Sequence, residues 1–114
     1  DALHYVAGVL REAGYGVRAK QGTYSSDCIP FADHGVPAVN LCRFGAPGAN
    51  YIHDRRDSLK SGYLDEHALD ITLQQALFLA CRVVNAEVFP IAREISDEIR
   101  QKVDEYLFRK EPKD

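Results

Sequence analysis

His53 stands in the stretch Tyr51-Ile52-His53-Asp54-Arg55-Arg56-Asp57-Ser58, a polar loop that gathers one imidazole, two carboxylates and two guanidinium groups. A neutral imidazole on a loop suits zinc, at a metal–nitrogen distance of about 2.0–2.1 Å, and leaves its other ring nitrogen for an acceptor that fixes the ring. By residue type alone a lone histidine such as His53 is more often an ordinary loop residue than a ligand. Asp57 or Ser58 would cap a turn or a helix. Arg55 and Arg56 offer charge for steering an acidic group, against the plainer account of solvated surface charge.

A second stretch, Tyr24-Ser25-Ser26-Asp27-Cys28-Ile29-Pro30-Phe31, carries further candidates. Asp27 reads as a simple helix cap, and Tyr24 as a substrate contact or a residue with no role. Arg43 precedes the loop Phe44-Gly45-Ala46-Pro47-Gly48-Ala49-Asn50 and is placed to meet a carboxylate; Phe44, Gly45 and Tyr51 would line the same pocket. His4 and His67 lie in helical patterns and His34 precedes Gly35, so all three read as surface or packing residues.

The elements that must position these groups follow from apolar spacing. Leu3, Val6, Leu10 and Ala13 predict a helix stopped by Gly14. Val17–Lys20 alternates and predicts a short strand. Asp27 or Ser26 would cap a brief helix through Asp33 that Gly35 ends. Val36-Pro37-Ala38-Val39-Asn40-Leu41-Cys42 is the best strand candidate, apolar on both faces. Tyr63 to Ala86 predicts a long helix, apolar nearly all round in its second half and therefore buried against something large. Residues 90–110 predict an amphipathic terminal helix with opposite charges four apart, and 111–114 a frayed tail. Two strands do not make a stable sheet. The expectation is therefore an α/β fold, with residues 1–114 as the carboxyl-terminal part of one domain and its strands at the edge of a larger mixed sheet flanked by helices.

Composition narrows the classes. A chain of 114 residues can bury about two thirds of its unfolded surface. A net charge of -3 gives no reason to expect nucleic acid, and no apolar run reaches the roughly 20 residues of a membrane helix. Nothing resembles a signal peptide, and a first residue that is Asp1 and not Met points to a fragment or processed product. Three widely spaced cysteines argue against a zinc finger and weakly favour a reducing, cytoplasmic setting; Cys42 and Cys81 read as buried small hydrophobes.

Ser26-Asp27-Cys28-Ile29-Pro30-Phe31 followed by Gly35-Val36-Pro37-Ala38 resembles the pattern S-D-H-x-P-F…G-[IV]-P-A, and the His53 stretch resembles Y-x-H-T-x-x-D-[ST]. Both patterns belong to the two-zinc aminopeptidase family, which includes glutamate carboxypeptidases and glutaminyl cyclases, and the resemblance runs from about Leu3 to Asn85. It implies a three-layer zinc-exopeptidase fold, His53 as the last zinc ligand, Asp57 ordering the loop or the histidine, Asp27 supporting a metal ligand, two zinc ions per full-length chain and a peptide substrate. Cys28 and Asp54 depart from the family's usual His and Thr, neither of which ligates metal. The family's other ligands and its general-base Glu lie upstream of the first motif and have no counterpart here. The resemblance thus implies a chain inactive alone, completed by a missing amino-terminal part of the same domain and prone to self-association. The rival readings are a non-catalytic receptor or interaction domain of the same fold, a glutaminyl-cyclase-like acyl transferase, and an independent helical interaction module.

Overall fold

The computed structural model describes residues 1–43, 45 and 49–109, and four helices carry its organisation. The first, α1 (Ala2–Glu12), starts where the Asp1 carboxylate accepts a hydrogen bond from the His4 backbone N–H at 2.9 Å. That bond satisfies one of the donors a helix start leaves unpaired. The helix stops with Gly14 at φ 85° and two bonds, Tyr15 N–H to the Leu10 carbonyl and Gly14 N–H to the Arg11 carbonyl, each 2.9 Å. This paired closure needs a left-handed residue, which glycine supplies without a Cβ clash.

The same closure ends α2 (Cys28–Asp33), with Gly35 in the left-handed position and Val36 N–H returning to the Phe31 carbonyl at 2.9 Å. The third helix, α3 (Glu66–Val84), is capped by the Asp65 carboxylate, which accepts from His67 N–H at 3.0 Å and Ala68 N–H at 3.1 Å. The fourth, α4 (Asp97–Tyr106), is capped by the Ser96 hydroxyl accepting from Ile99 N–H at 3.3 Å. Both of these helices are shorter than the apolar periods over 63–86 and 90–110, because the capping side chains set where the backbone enters the helix.

The helices pack in two pairs, α1 on α3 and α2 on α4. The buried apolar residues are Ala2, Ala7, Val9 and Leu10 of α1, Ile29 and Ala32 of α2, and Val103 of α4; Leu10 and Val103 are the most enclosed. Polar ties join the pairs internally. Arg82 of α3 reaches Glu12 of α1 at 3.5 Å, and the Ser25 and Tyr106 hydroxyls lie 2.6 Å apart. Arg109, just past α4, grips the Asp33 carboxylate at the end of α2 with both guanidinium nitrogens. The two bonds from Arg109 hold the Asp33 carboxyl below its usual range.

The α/β expectation is overturned: among the described residues the fold is helical and contains no strand. Residues 17–24 and 37–43 run without regular structure, and no backbone–backbone hydrogen bond ties either segment to a neighbour among the described residues. A strand exists only as half of a ladder, so β-branched and alternating sequence with no partner backbone stays irregular. The burial expected of α3 is corrected by the same shortage of partners, since none of its residues is fully buried. Cys42 and Cys81 are exposed, not buried. Phe44 and the tail 110–114 lie outside the described residues.

Candidate functional site

The His53 loop sits between two single-turn helices, Ala49–Tyr51 and Leu59–Ser61. Its organiser is Asp54. One carboxylate oxygen accepts from Arg56 N–H at 2.8 Å and Arg56 Nε at 2.9 Å, and the other accepts from Arg56 Nη2 at 2.9 Å. A side-chain oxygen bonded to the N–H two residues on is the turn that Asp forms most readily. The Arg56 side chain and backbone hold the Asp54 carboxyl below its usual value, and the Asp54 carboxylate holds the guanidinium above its own.

Once oriented, the Arg56 guanidinium lies 4.2 Å from the centre of the Tyr51 ring. Tyr51 in turn meets Tyr63 with ring centroids 5.3 Å apart and planes at 50°. A hydrogen bond to Tyr51 raises the Tyr63 phenol above its ordinary value. The chain Asp54, Arg56, Tyr51, Tyr63 therefore ties the loop to the approach to α3, with cation–π and tilted aromatic contacts adding to the charged bonds.

His53 rides on this frame with its backbone at φ 65° and its side chain exposed. Histidine is among the few residues besides glycine that visit this region with any frequency, and the strain is sustained by the bonds on either side. Among the described residues its ring nitrogens have no hydrogen-bond partner. Asp57 lies near it in sequence and is exposed, its backbone N–H donating to the Asp54 carbonyl at 2.9 Å. Among the described residues the side-chain bonds that order this turn come from Asp54. An Asp two residues before an Arg is the signal that identifies it.

The first motif is organised by Ser26. Its hydroxyl accepts from Cys28 N–H at 3.3 Å and from Asn40 Nδ2 at 3.0 Å, and donates to the Tyr24 carbonyl at 3.2 Å. Asp27 occupies the cap position of α2 without a side-chain capping bond, so of the two candidates Ser26 does the capping. Asn40 brings the segment after α2 against this loop. Arg43 is turned toward α3, where its Nε donates to the Thr72 hydroxyl at 3.0 Å. Tyr24 is exposed, and Gly45 is exposed at φ 82°.

No hydrogen bond or ion pair among the described residues joins the His53 loop to Asp27, and no group of three or more His, Cys, Asp and Glu is placed to hold a metal. An open hollow of about 430 Å³ between α1 and α3 is lined by Tyr5, Phe78, Cys81, Arg82, Asn85 and Ala86, none of them among the candidate site residues. His34, with Nδ1 2.8 Å from the Pro30 carbonyl, serves the end of α2, and His4 and His67 are exposed on their helices. Among the described residues no helix is long and apolar enough to cross a membrane. Compared with known proteins, the chain matches no family model, no curated protein and no solved structure.

Proposed function

We propose that this chain supplies one zinc ligand, His53, and part of the substrate-facing surface to a zinc-dependent exopeptidase, an aminopeptidase acting on the amino-terminal peptide bond. The observation that supports the reading is the presentation of His53: a strained, exposed histidine whose ring nitrogens are unengaged among the described residues, on a loop pinned by Asp54 and Arg56. Strain of this kind persists where a ligand position has to be held in advance.

The described residues offer a ligand position and not a metal centre, because among them no group of three or more His, Cys, Asp and Glu is placed to hold a metal. A pair of zinc ions would need further carboxylates and a second histidine from polypeptide beyond these residues. No step of hydrolysis is therefore assigned to this chain. Its share is positional: Asp54, Arg56 and Tyr51 hold the loop, Tyr24 and Gly45 are offered to the substrate side, and Asp27 and Asp57 belong to the two motifs, while Arg43 is engaged with Thr72 of α3.

A non-catalytic interaction domain is the second reading, favoured by the long apolar face that α3 leaves exposed. Zinc content separates the two. The protein carrying the complete ligand set is expected to hold about two zinc ions per chain, and its His53→Ala variant to lose one of them together with peptidase activity. Zinc absent from both proteins would overturn the enzymatic reading.

A further inference from the structure

The α3 helix has two apolar faces and uses one. Ala68, Ile71, Thr72, Gln75, Leu79 and Val83 form the half-buried side that turns toward the rest of the fold. At about 100° per residue, Leu69, Leu73, Ala76, Leu77, Ala80 and Val84 fall on a separate stripe roughly 100° wide, as broad as the core-facing stripe of a surface helix. That second stripe is open to solvent: Leu69 is 58% exposed, Leu73 63%, Leu77 61% and Val84 80%. Its one charge is Glu66, in the first turn.

The whole chain carries the same surplus. Its accessible surface is 9198 Å², against about 6,300 Å² for a compact monomer of this mass. Its radius of gyration is 16.3 Å, against about 13 Å for a compact chain of this length. A stable pairing needs about 800 Å² from each partner; the excess belongs to the whole chain, with the α3 stripe as its longest continuous apolar part.

We propose that the outer stripe of α3 is the interface of a homodimer, two copies meeting antiparallel about a two-fold axis that passes between Ala76 and Leu77. The order of side chains selects a second copy as the occupant. About that axis Leu69 of one copy faces Val84 of the other, Leu73 faces Ala80, and Ala76 faces Leu77. Each large side chain meets a smaller one, so the stripe is complementary to itself, as an isologous contact requires. The alanines near the axis let the two helices approach closely, and the stripe follows the four-three spacing of interdigitating helices at Leu69, Leu73, Ala76 and Ala80.

Sedimentation of the intact chain over micromolar to submillimolar concentration tests the interface, beside Leu73→Glu and Leu77→Glu. Both substitutions fall on exposed positions away from the side facing α1, so helix content by circular dichroism should hold while the dimer dissociation constant rises at least a hundredfold. A second readout does not depend on those variants. In a background with Cys28, Cys42 and Cys81 replaced by serine, Ala76→Cys should form disulfide-linked dimers on mild oxidation and Gln74→Cys, exposed but off the stripe, should not. A chain that stays monomeric throughout, or equal cross-linking at positions 74 and 76, overturns the proposal and leaves the face to a different protein.

Discussion

The Asp54 carboxylate accepts three hydrogen bonds from Arg56, one from its backbone and two from its guanidinium, and so fixes the turn that carries His53. The bonds lower the Asp54 pKa below the ordinary 3.8. A carboxyl with a depressed folded pKa contributes order that is fully present above its unfolded value and is lost as pH falls through the lowered one. Following the Asp54 carboxyl carbon by NMR should therefore give a midpoint below 3.8. The Arg56 Nε–H resonance should collapse toward its free position over the same acid range. In Asp54→Asn the Arg56 shift should be near its free position already at neutral pH, with the melting temperature little changed.

Phe108 makes the opposite compromise to the glycines that end α1 and α2. It sits at φ 56° in the left-handed position that closes α4, with Phe108 N–H on the Glu105 carbonyl at 3.1 Å and Arg109 N–H on the Asp104 carbonyl at 2.8 Å. Its side chain is 95% exposed and contributes no burial. Phe108→Gly should raise the unfolding free energy by about 1 kcal/mol, the usual cost of a side chain in this conformation. Urea denaturation reads the change directly.

Leu10 lies 1% exposed at the centre of the α1 face. Leu10→Ala should cost about 2–5 kcal/mol, the range for emptying a well-packed leucine site. In a chain whose enclosed core comes down to a few small residues and Leu10, Ile29 and Val103, a loss of that size should abolish the cooperative melt seen by circular dichroism at 25 °C.

The isolated chain should show no peptidase activity on aminoacyl chromogenic substrates, with or without added zinc, because among the described residues no group of three or more His, Cys, Asp and Glu is placed to hold a metal. Turnover by the purified chain that disappears on chelation would contradict this assignment of its role.

The helices were legible because their determinants are local. Gly14 and Gly35 announce stops and the apolar periods need no distant partner, while the starts set by Asp65 and Ser96 were missed because apolar spacing runs on past the capping residue. The strand expectation at Val36–Cys42 failed because a strand's hydrogen bonds lie in another segment, and none is present to receive them among the described residues. Burial of α3, Cys42 and Cys81 was misjudged for a related reason: apolar composition states what a face would favour, not whether a neighbour covers it. Opposite charges four apart were expected to pair along residues 90–110. Arg109 instead crosses to Asp33, a choice made by the turn at Phe108 and invisible to four-residue spacing. At the candidate site, the exposed polar loop around His53 was legible from its composition, whereas the Asp54–Arg56 turn was not, because the motif drew attention to Asp57 and an Asp two residues before an Arg went unremarked.

The most direct test is elemental zinc analysis of the protein that carries this chain with its full ligand set, beside its His53→Ala variant, with peptidase activity read on the same samples. About two zinc ions per chain, falling by one with activity lost in the variant, is the predicted result. No zinc in either protein, or unchanged zinc and activity after His53 is removed, would contradict the assignment of His53 as a metal ligand.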